Sequence, residues 1–259
     1  MFIPAPPMKI LRRMDYISDQ KGIIRRYLRE QEGWMEHLRN AGDFIIEVLQ
    51  SNEINHVVVL GSGWLLDFPL ERILKSVKKI TLVDIHFPSQ ILKKIKIYDQ
   101  VHCLFADITN GYIQAVYEQI QNSGAKFDIP VNIDAPRIQP EKGMLILSLN
   151  ILNQLDILLV DYILKKTDFD NSLIVQFRKK LQESHITMLQ EHPFILITDY
   201  KEILFNNQAK VLEEKQLIFT ELPSGQVSRE WEWQFDSHKL YHAHANTSMK
   251  VRAVYSGGL

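Results

Sequence analysis

Five short apolar runs, each closed by glycine or small polar residues, alternate along this chain with segments whose apolar residues recur at three- and four-residue steps. The runs cover residues 56–60, 80–84, 101–105, 144–149 and 194–198, and their length and β-branched content predict strands. Between 18 and 50, Ile23, Ile24, Tyr27, Leu28, Trp34, Leu38, Phe44, Ile45 and Val48 predict helix, with Gly33 and Gly42 expected to break it into pieces. Further helices are expected at 69–77, with Asp67 capping ahead of Pro69 and Glu71, and at 89–97, 111–121, 154–165 and 171–190. Pro130, Pro136 and Pro140 forbid regular structure through a loop at 122–143, which either shapes a substrate mouth or decorates a surface. The tail changes period: Trp231, Trp233 and Phe235 alternate within 229–235, as do Val251, Ala253 and Tyr255 within 250–255, predicting two antiparallel strands.

Strands alternating with helices require a parallel sheet, because parallel neighbours need a crossover and a helix is the usual one. Ligands then bind beyond the carboxyl ends of the strands. Gly61, Ser62, Gly63, Asp84, Asp107, Asn150 and Asp199 all fall there. A chain of 259 residues accommodates one α/β domain, expected at 51–259, and an N-terminal helical extension at 1–50.

Composition narrows the setting. Apolar residues at 46% and charged residues at 24% exclude a disordered chain, and a net charge of -1 provides no global field for nucleic acid or an anionic membrane. A single cysteine, Cys103, excludes an internal disulfide and makes a reducing cytoplasm the simplest expectation. The first residues lack the basic-then-apolar pattern of a secretion signal. The most apolar long stretch, 144–164, is interrupted by Ser148, Asn150, Asn153, Gln154, Asp156 and Asp161, so no membrane partner is expected.

The turn after 56–60 reads Gly61-Ser62-Gly63-Trp64-Leu65-Leu66-Asp67. A dinucleotide fingerprint would place its third glycine at Leu66, and bulk and negative charge at Trp64 and Asp67 oppose a pyrophosphate. S-adenosylmethionine asks instead for close backbone approach to its methionyl part, a carboxylate for the ribose diol and an acceptor for the adenine amine. Gly61 to Gly63, Asp84 and Asp107 offer one of each in strand register. Asp84 equally suits an acidic strand end, and Asp107, before Ile108-Thr109-Asn110-Gly111, equally suits a turn-forming role.

The series Leu-Gly-Ser-Gly63, Leu-Val-Asp84-Ile-His86, Ala-Asp107-Ile-Thr and Leu-Ser148-Leu-Asn150, with a terminal antiparallel pair, resembles the class I S-adenosylmethionine-dependent methyltransferases. More narrowly, residues 61–70, 83–86 and 148–155 are similar to an uncharacterised bacterial branch of that superfamily. The resemblance covers 56–255. It implies a Rossmann-like, doubly wound, mostly parallel seven-stranded sheet with its last strand antiparallel. It also implies S-adenosylmethionine as cofactor, held at Gly61, Ser62, Gly63, Asp84, Ile85, His86, Asp107, Ile108 and Asn150. The segment 148–154 would position or act on a substrate, with Asn150 orienting a nitrogen or oxygen acceptor of a small molecule. Two departures stand out: Leu65 occupies the third glycine of the family's Gly-x-Gly-x-Gly, and no acidic residue precedes Gly61 at the usual place.

Asn150 and Gln154 also suit capping of the following helix, and Asp199 suits a strand-to-loop turn. His86 is either an adenosine contact or a surface loop residue. His185 lies on an apolar helical stripe and reads as a core histidine. His238, His242 and His244 have metal-like spacing without a carboxylate or cysteine partner, so a polar hairpin surface is expected and no metal. Arg12, Arg13, Lys21, Arg25, Arg26 and Arg29 are diluted by acidic neighbours and read as a solvated helix face, which leaves nucleic acid disfavoured. Two other classes remain open: a non-catalytic scaffold keeping the methyltransferase fold, and a nicotinamide-dependent oxidoreductase.

Overall fold

The computed structural model describes residues 2–123 and 135–257. In chain order the elements are β1 (Ile3–Pro4), α1 (Met8–Arg13), α2 (Tyr16–Arg29), α3 (Gln31–Ser51), β2 (His56–Leu60), α4 (Leu70–Ile73), β3 (Lys79–Asp84), α5 (Ser89–Ile95), β4 (Val101–Asp107) and α6 (Tyr112–Ser123). Then follow β5 (Met144–Leu149), α7 (Ile157–Lys166), α8 (Asn171–Gln190), β6 (Phe194–Phe205), β7 (Val211–Gln216), β8 (Val227–Asp236) and β9 (Asn246–Ser256).

The sheet runs β1-β4-β3-β2-β5-β6-β9-β8, with β7 paired to β6 off this path. Strands β4, β3, β2, β5 and β6 are mutually parallel, and β9 inserts antiparallel between β6 and β8. This is the doubly wound, mostly parallel core of seven strands with the last antiparallel, to which the short edge strand β1 and the hairpin strand β7 are added.

Alternation within each strand feeds two apolar layers, which is why the strands read as continuous apolar runs. Val57, Val59, Leu145, Leu147, Ile195 and Ile197 pack with Phe44, Ile45 and Val48 of α3. Val58, Leu60, Ile146 and Leu196 pack the other way, with Ile186, Met188 and Leu189 of α8. Helix α1 joins α6, α7 and α8 through Ile10, Leu11, Met14, Ile113, Leu159 and Phe177.

Several expectations change. The predicted breaks at Gly33 and Gly42 do not occur; α3 runs through both, and the break from α2 falls at Glu30. Burial opposes ionisation of Glu30, but hydrogen bonds from the Ser237 amide (3.0 Å) and hydroxyl (2.7 Å), from His238 and from Arg29 outweigh it and hold the carboxyl at about 2. Gly33 is needed for close approach: a Cβ there would sit 2.7 Å from the Gln234 carbonyl oxygen of β8. The helix expected at 69–77 is only α4, with Ser76 and Val77 following in turns bonded to the Ile73 carbonyl; Asp67 does not cap it and turns its oxygens to His37 and Asn150. The strand expected to end at 198 continues to Phe205, and β1, α1 and β7 were not anticipated. Of the 122–143 loop, 124–134 lie outside the described residues, while 122 and 123 complete α6.

Two glycine substitutions should move stability in opposite directions. Gly33→Ala drives a methyl into the β8 backbone and is expected to cost about 1–3 kcal/mol. Gly22→Ala, whose Cβ meets nothing within 4 Å in the middle of α2, is expected to add about 1 kcal/mol. Urea unfolding midpoints of the two variants check the pair.

Candidate functional site

A cavity of about 470 Å³ lies over the carboxyl ends of β2, β3, β4 and β5, where the connections from β2 and β5 leave the sheet in opposite directions. Gly61, Ser62, Gly63, Asp84, Ile85, His86, Asp107, Ile108 and Asn150 all line it, as does Asp199. Helix α2 roofs it with Tyr16, Asp19, Gln20, Ile23 and Arg26.

The floor begins with the turn after β2. The Gly61 and Ser62 amides donate to the Val83 carbonyl at 3.0 and 3.3 Å, so the turn stays bonded to β3 as it leaves the sheet. Gly61 has φ 67°, and a Cβ there would strike Ile151 at 2.7 Å, so the position requires glycine on two counts. Leu65, at the family's third glycine, keeps the left-handed backbone (φ 55°) that a glycine would adopt without penalty. Its side chain is buried in the main apolar layer, which offsets the strain.

Asp84 closes this floor. Its Oδ2 accepts from the Gly63 amide at 2.7 Å and its Oδ1 from the His86 amide at 3.1 Å. Burial pushes its carboxyl up to about 6 in spite of those amides. His86 is held by Gln20 of the roof: Nδ1 is 2.7 Å from Gln20 Oε1, and its carbonyl accepts from Gln20 Nε2 at 2.9 Å. The Trp64 indole donates to the Gln20 carbonyl at 2.7 Å, so Trp64 sits in the cavity wall.

Asp107 takes the turn-forming role that its sequence context allowed. Its Oδ1 makes the turn, accepting from the Thr109 amide at 2.8 Å and hydroxyl at 2.6 Å. Its Oδ2 is fully buried and has no partner. The Tyr16 hydroxyl, also buried and without a partner, belongs to the same cavity, and burial with Asp107 nearby raises its pKa, keeping it a donor.

At the β5 end, Asn150 takes a left-handed backbone (φ 48°) and does not cap α7, which starts at Ile157 after Asp156. Its Nδ2 donates to Asp67 Oδ2 at 2.8 Å. The Trp231 indole donates to His37 Nδ1 at 3.0 Å, and His37 Nε2 lies 3.3 Å from Asp67 Oδ1 and 3.0 Å from Asn150 Nδ2. Asn153 Nδ2 donates to Asp199 Oδ2 at 2.8 Å. Asn150 Oδ1, Asn153 Oδ1 and Asp199 Oδ1 remain buried without partners. Asp199 lies inside β6 and is not a strand-to-loop turn; burial pushes its carboxyl up to about 6, against opposing contributions from His37 and Asn153, with Asp67 reinforcing it.

The remaining candidates fall elsewhere. His185 is buried in α8, bonded to Ser148 Oγ at 2.8 Å, and burial holds it down at about 4. His238 and His242 pair with Glu30 and Glu202, and among the described residues no group of three or more His, Cys, Asp or Glu side chains is placed to hold a metal ion. Of the N-terminal basic residues, Arg26 turns inward over the Phe235 and Tyr241 rings at 4.7 Å and Arg29 pairs with Asp236, so the segment is not only a solvated face. No described helix is long and apolar enough to cross a membrane.

No protein-family model and no curated protein matches the chain. Among solved structures it is similar to the Burkholderia thailandensis 1,6-didemethyltoxoflavin-N1-methyltransferase with bound 1,6-didemethyltoxoflavin and S-adenosylhomocysteine, at 14% identity and TM-score 0.37 over 98% of this chain and 94% of that one. A Listeria monocytogenes protein assigned as an S-adenosylmethionine dependent methyltransferase overlaps at 12% identity and TM-score 0.32, over 86% and 97%. HcgC from Methanococcus maripaludis, cocrystallised with S-adenosylhomocysteine and pyridinol, overlaps at 10% and 0.31, over 87% and 91%. These are distant overlaps, and the strand order and cavity of this chain carry the reading below.

Sequence reasoning missed Tyr16, His37, Trp233 and Tyr241 as cavity or support residues, because they reach the site through tertiary packing; Asn153 lies within the 148–154 segment expected there.

A carboxyl whose folded pKa exceeds its unfolded value of about 3.9 takes up a proton on folding, so its contribution is most favourable below that value and is lost as pH rises through about 6. Asp199→Asn preserves shape and the acceptor for Asn153 while removing the charge. It should stabilise the free protein by about 1–3 kcal/mol at pH 7.5 and by much less at pH 5. Chemical denaturation at the two pH values measures this, and a destabilised variant at pH 7.5 would contradict it.

Proposed function

We propose that the chain is an S-adenosylmethionine-dependent methyltransferase acting on a small-molecule acceptor. The carrying observation is the convergence on one cavity of the Gly61–Gly63 bend, Asp84 and Asp107, on three neighbouring strand ends. When bound, S-adenosylmethionine supplies a methyl group on a sulfonium that is already activated for displacement. The chain's task is then to bind, align and exclude water.

Its polar inventory suits the group. Asp107, an acceptor, and Tyr16, a donor, both line the cavity, the pair that an amino-purine edge would call on. Asp84, with lone pairs left over after Gly63 and His86, can receive the two ribose hydroxyls. The bare turn at Gly61–Gly63 admits close backbone approach beside them. Roof residues Gln20 and Tyr16 would shield the adenosine, while Asn150 and Asp199 stand at the acceptor end.

The rival readings fare worse. A scaffold that had lost its ligand would be expected to fill the pocket with side chains, whereas this cavity falls within the usual range for small-molecule sites, about 300–1,000 Å³. A dinucleotide would bring its pyrophosphate against Asp67, which lines the cavity just after the turn.

Isothermal titration with S-adenosylmethionine and S-adenosylhomocysteine at pH 7.5 tests the reading. Micromolar binding by the parent protein is expected, with Asp84→Ala weakening it 10- to 100-fold, about 1.4–2.8 kcal/mol. Affinity should also fall as pH drops through about 6, where protonation of Asp84 removes acceptor capacity, and this dependence should flatten in Asp84→Asn. Absence of binding by the parent would sink the proposal.

A further inference from the structure

Resting on that reading, we infer that the methyl acceptor carries a carboxylate, received by the guanidinium of Arg26 in the roof of the cavity.

Arg26 and Arg29 lie about one turn apart on α2 and are used differently. Arg29 is tied to Glu30 at 3.2 Å and to Asp236 at 3.0 Å. Arg26 lines the cavity and, among the described residues, makes no hydrogen bond and no ion pair. The neighbouring acids are already occupied. Asp236 Oδ1 takes Arg29, and its Oδ2 takes the Leu240 and Tyr241 amides at 2.9 and 3.2 Å. Glu30 takes Ser237, His238 and Arg29. Burial lowers the Arg26 pKa from the ordinary arginine value, Tyr241, Asp19 and Asp236 oppose that, and the group stays cationic. Arg26 is half-buried, and none of its nitrogens is among the described buried atoms that lack a partner, so its unbonded N–H groups are open to solvent.

Aromatic rings hold this side chain in place. Its guanidinium carbon lies 4.7 Å from the centres of both the Phe235 and the Tyr241 rings, which meet edge-on at 4.9 Å and 80°. A guanidinium seated in such a corner is positioned by ring contacts and keeps its N–H fork for a planar partner with two oxygens.

Helix α2 also measures the cavity. Tyr16, within electrostatic reach of Asp107 of β4, and Arg26 are separated by about 15 Å along the helix. Gln20, which binds His86 just past β3, lies between them. Arg26 therefore stands at the β8 end, against Phe235, beyond the strand ends that hold the proposed adenosine.

That placement separates ligand classes. A cationic acceptor would bring its charge against Arg26. A phosphate would bring a second negative charge against Asp19, Asp67, Asp161 and Asp199, which line the same cavity. A single carboxylate fits the fork with the least charge. Trp233, Phe235 and Met249 line the cavity at this end, so an apolar body behind the carboxylate suits the walls.

Matched probes test the inference on the intact protein saturated with S-adenosylhomocysteine at pH 7.5. 3-Phenylpropionate carries the carboxylate, 3-phenylpropionamide keeps its shape without the charge, and 3-phenylpropylamine reverses the charge. Their dissociation constants are read by saturation-transfer NMR and by quenching of tryptophan fluorescence. The acid is expected to bind at least 10-fold more tightly than the amide, with the amine weakest. In Arg26→Gln the acid should weaken to within twofold of the amide, and Arg26→Lys, which keeps the charge without the fork, should fall between. S-adenosylhomocysteine should stay within threefold in both variants. A variant that fails to melt cooperatively leaves the parent's ratio of acid to amide to decide. Equal binding of acid and amide by the parent, no binding by any probe, or an acid affinity unaltered in Arg26→Gln would overturn the inference and leave the methyltransferase reading standing. So would an Arg26→Gln that weakens S-adenosylhomocysteine at least 10-fold but not 5′-methylthioadenosine, since the guanidinium would then serve the cofactor's own carboxylate. Failure of S-adenosylhomocysteine to bind the parent would remove both readings.

Discussion

The Asp84 carboxylate ties the turn after β2 to the turn after β3, one step beyond the bonds from the Gly61 and Ser62 amides to the Val83 carbonyl. One oxygen holds the amide of Gly63, just past β2, and the other holds the amide of His86, just past β3. The turn between β2 and α4 takes its shape from that bond, since Gly61 and Gly63 have left-handed backbones that impose no direction of their own. Two amides do not fully compensate the loss of water around a carboxylate, which is why its pKa lies near 6 and not below 4. The group is thus anchored and still short of hydrogens, the condition expected of a ligand-binding carboxylate. Leu65 completes the turn: its left-handed backbone is a local cost of about 1–2 kcal/mol, of the same order as what its buried side chain returns.

The N-terminal helices take part in the site. Gln20 of α2 binds both His86 and Trp64, so one side chain and one carbonyl connect the roof to the strand end and the glycine turn. At the other end of the same helix pair, Glu30 accepts from Ser237 and His238, and the Trp34 indole donates to the Phe235 carbonyl at 3.0 Å. The roof is therefore fastened at both the β3 and the β8 side. Arg26 lines the cavity between these attachments, and Tyr16 lines it one turn before Gln20.

How much of this was legible follows from where each signal resides. Strands β2 and β5 were readable to the residue because a parallel strand buried on both faces is an uninterrupted apolar run, and turn residues bound it. Asp84, Asp107 and Asn150 were readable as site candidates because position at a strand end is a property of the local sequence. Asp67 was misjudged for the same reason: as a local signal it suits a helix cap, yet His37, 30 residues earlier, and Asn150, 83 residues later, compete for its oxygens and win. Gly33 was misjudged because its reason is the carbonyl of Gln234, far along the chain. The extension of β6 past Asp199 depends on pairing with β7 and β9, and β7 consists of exposed residues with no burial pattern to announce it.

Buried polar groups occur throughout the fold. Asp156 binds Arg178 at 2.8 Å and Gln182 binds the Leu217 carbonyl at 3.1 Å, whereas His185 Nδ1, His192 Nε2, Asn246 Oδ1, Thr247 Oγ1, Ser248 Oγ and Arg252 Nε, outside the cavity, are buried without partners. Within the cavity Tyr16, Asp107, Asn150, Asn153, Asp199 and Trp233 each keep one buried atom unpaired. Each such atom costs about 1–3 kcal/mol relative to a satisfied one. Asp107 and Tyr16 mark the β4 side, and Asn150, Asn153, Asp199 and Trp233 mark the side of β5 and β6, with the Asp84-bound turn between them. Polar side chains on both sides of one bare backbone bend give the cavity two polar ends, the arrangement that the proposed transfer between a cofactor and an acceptor would use.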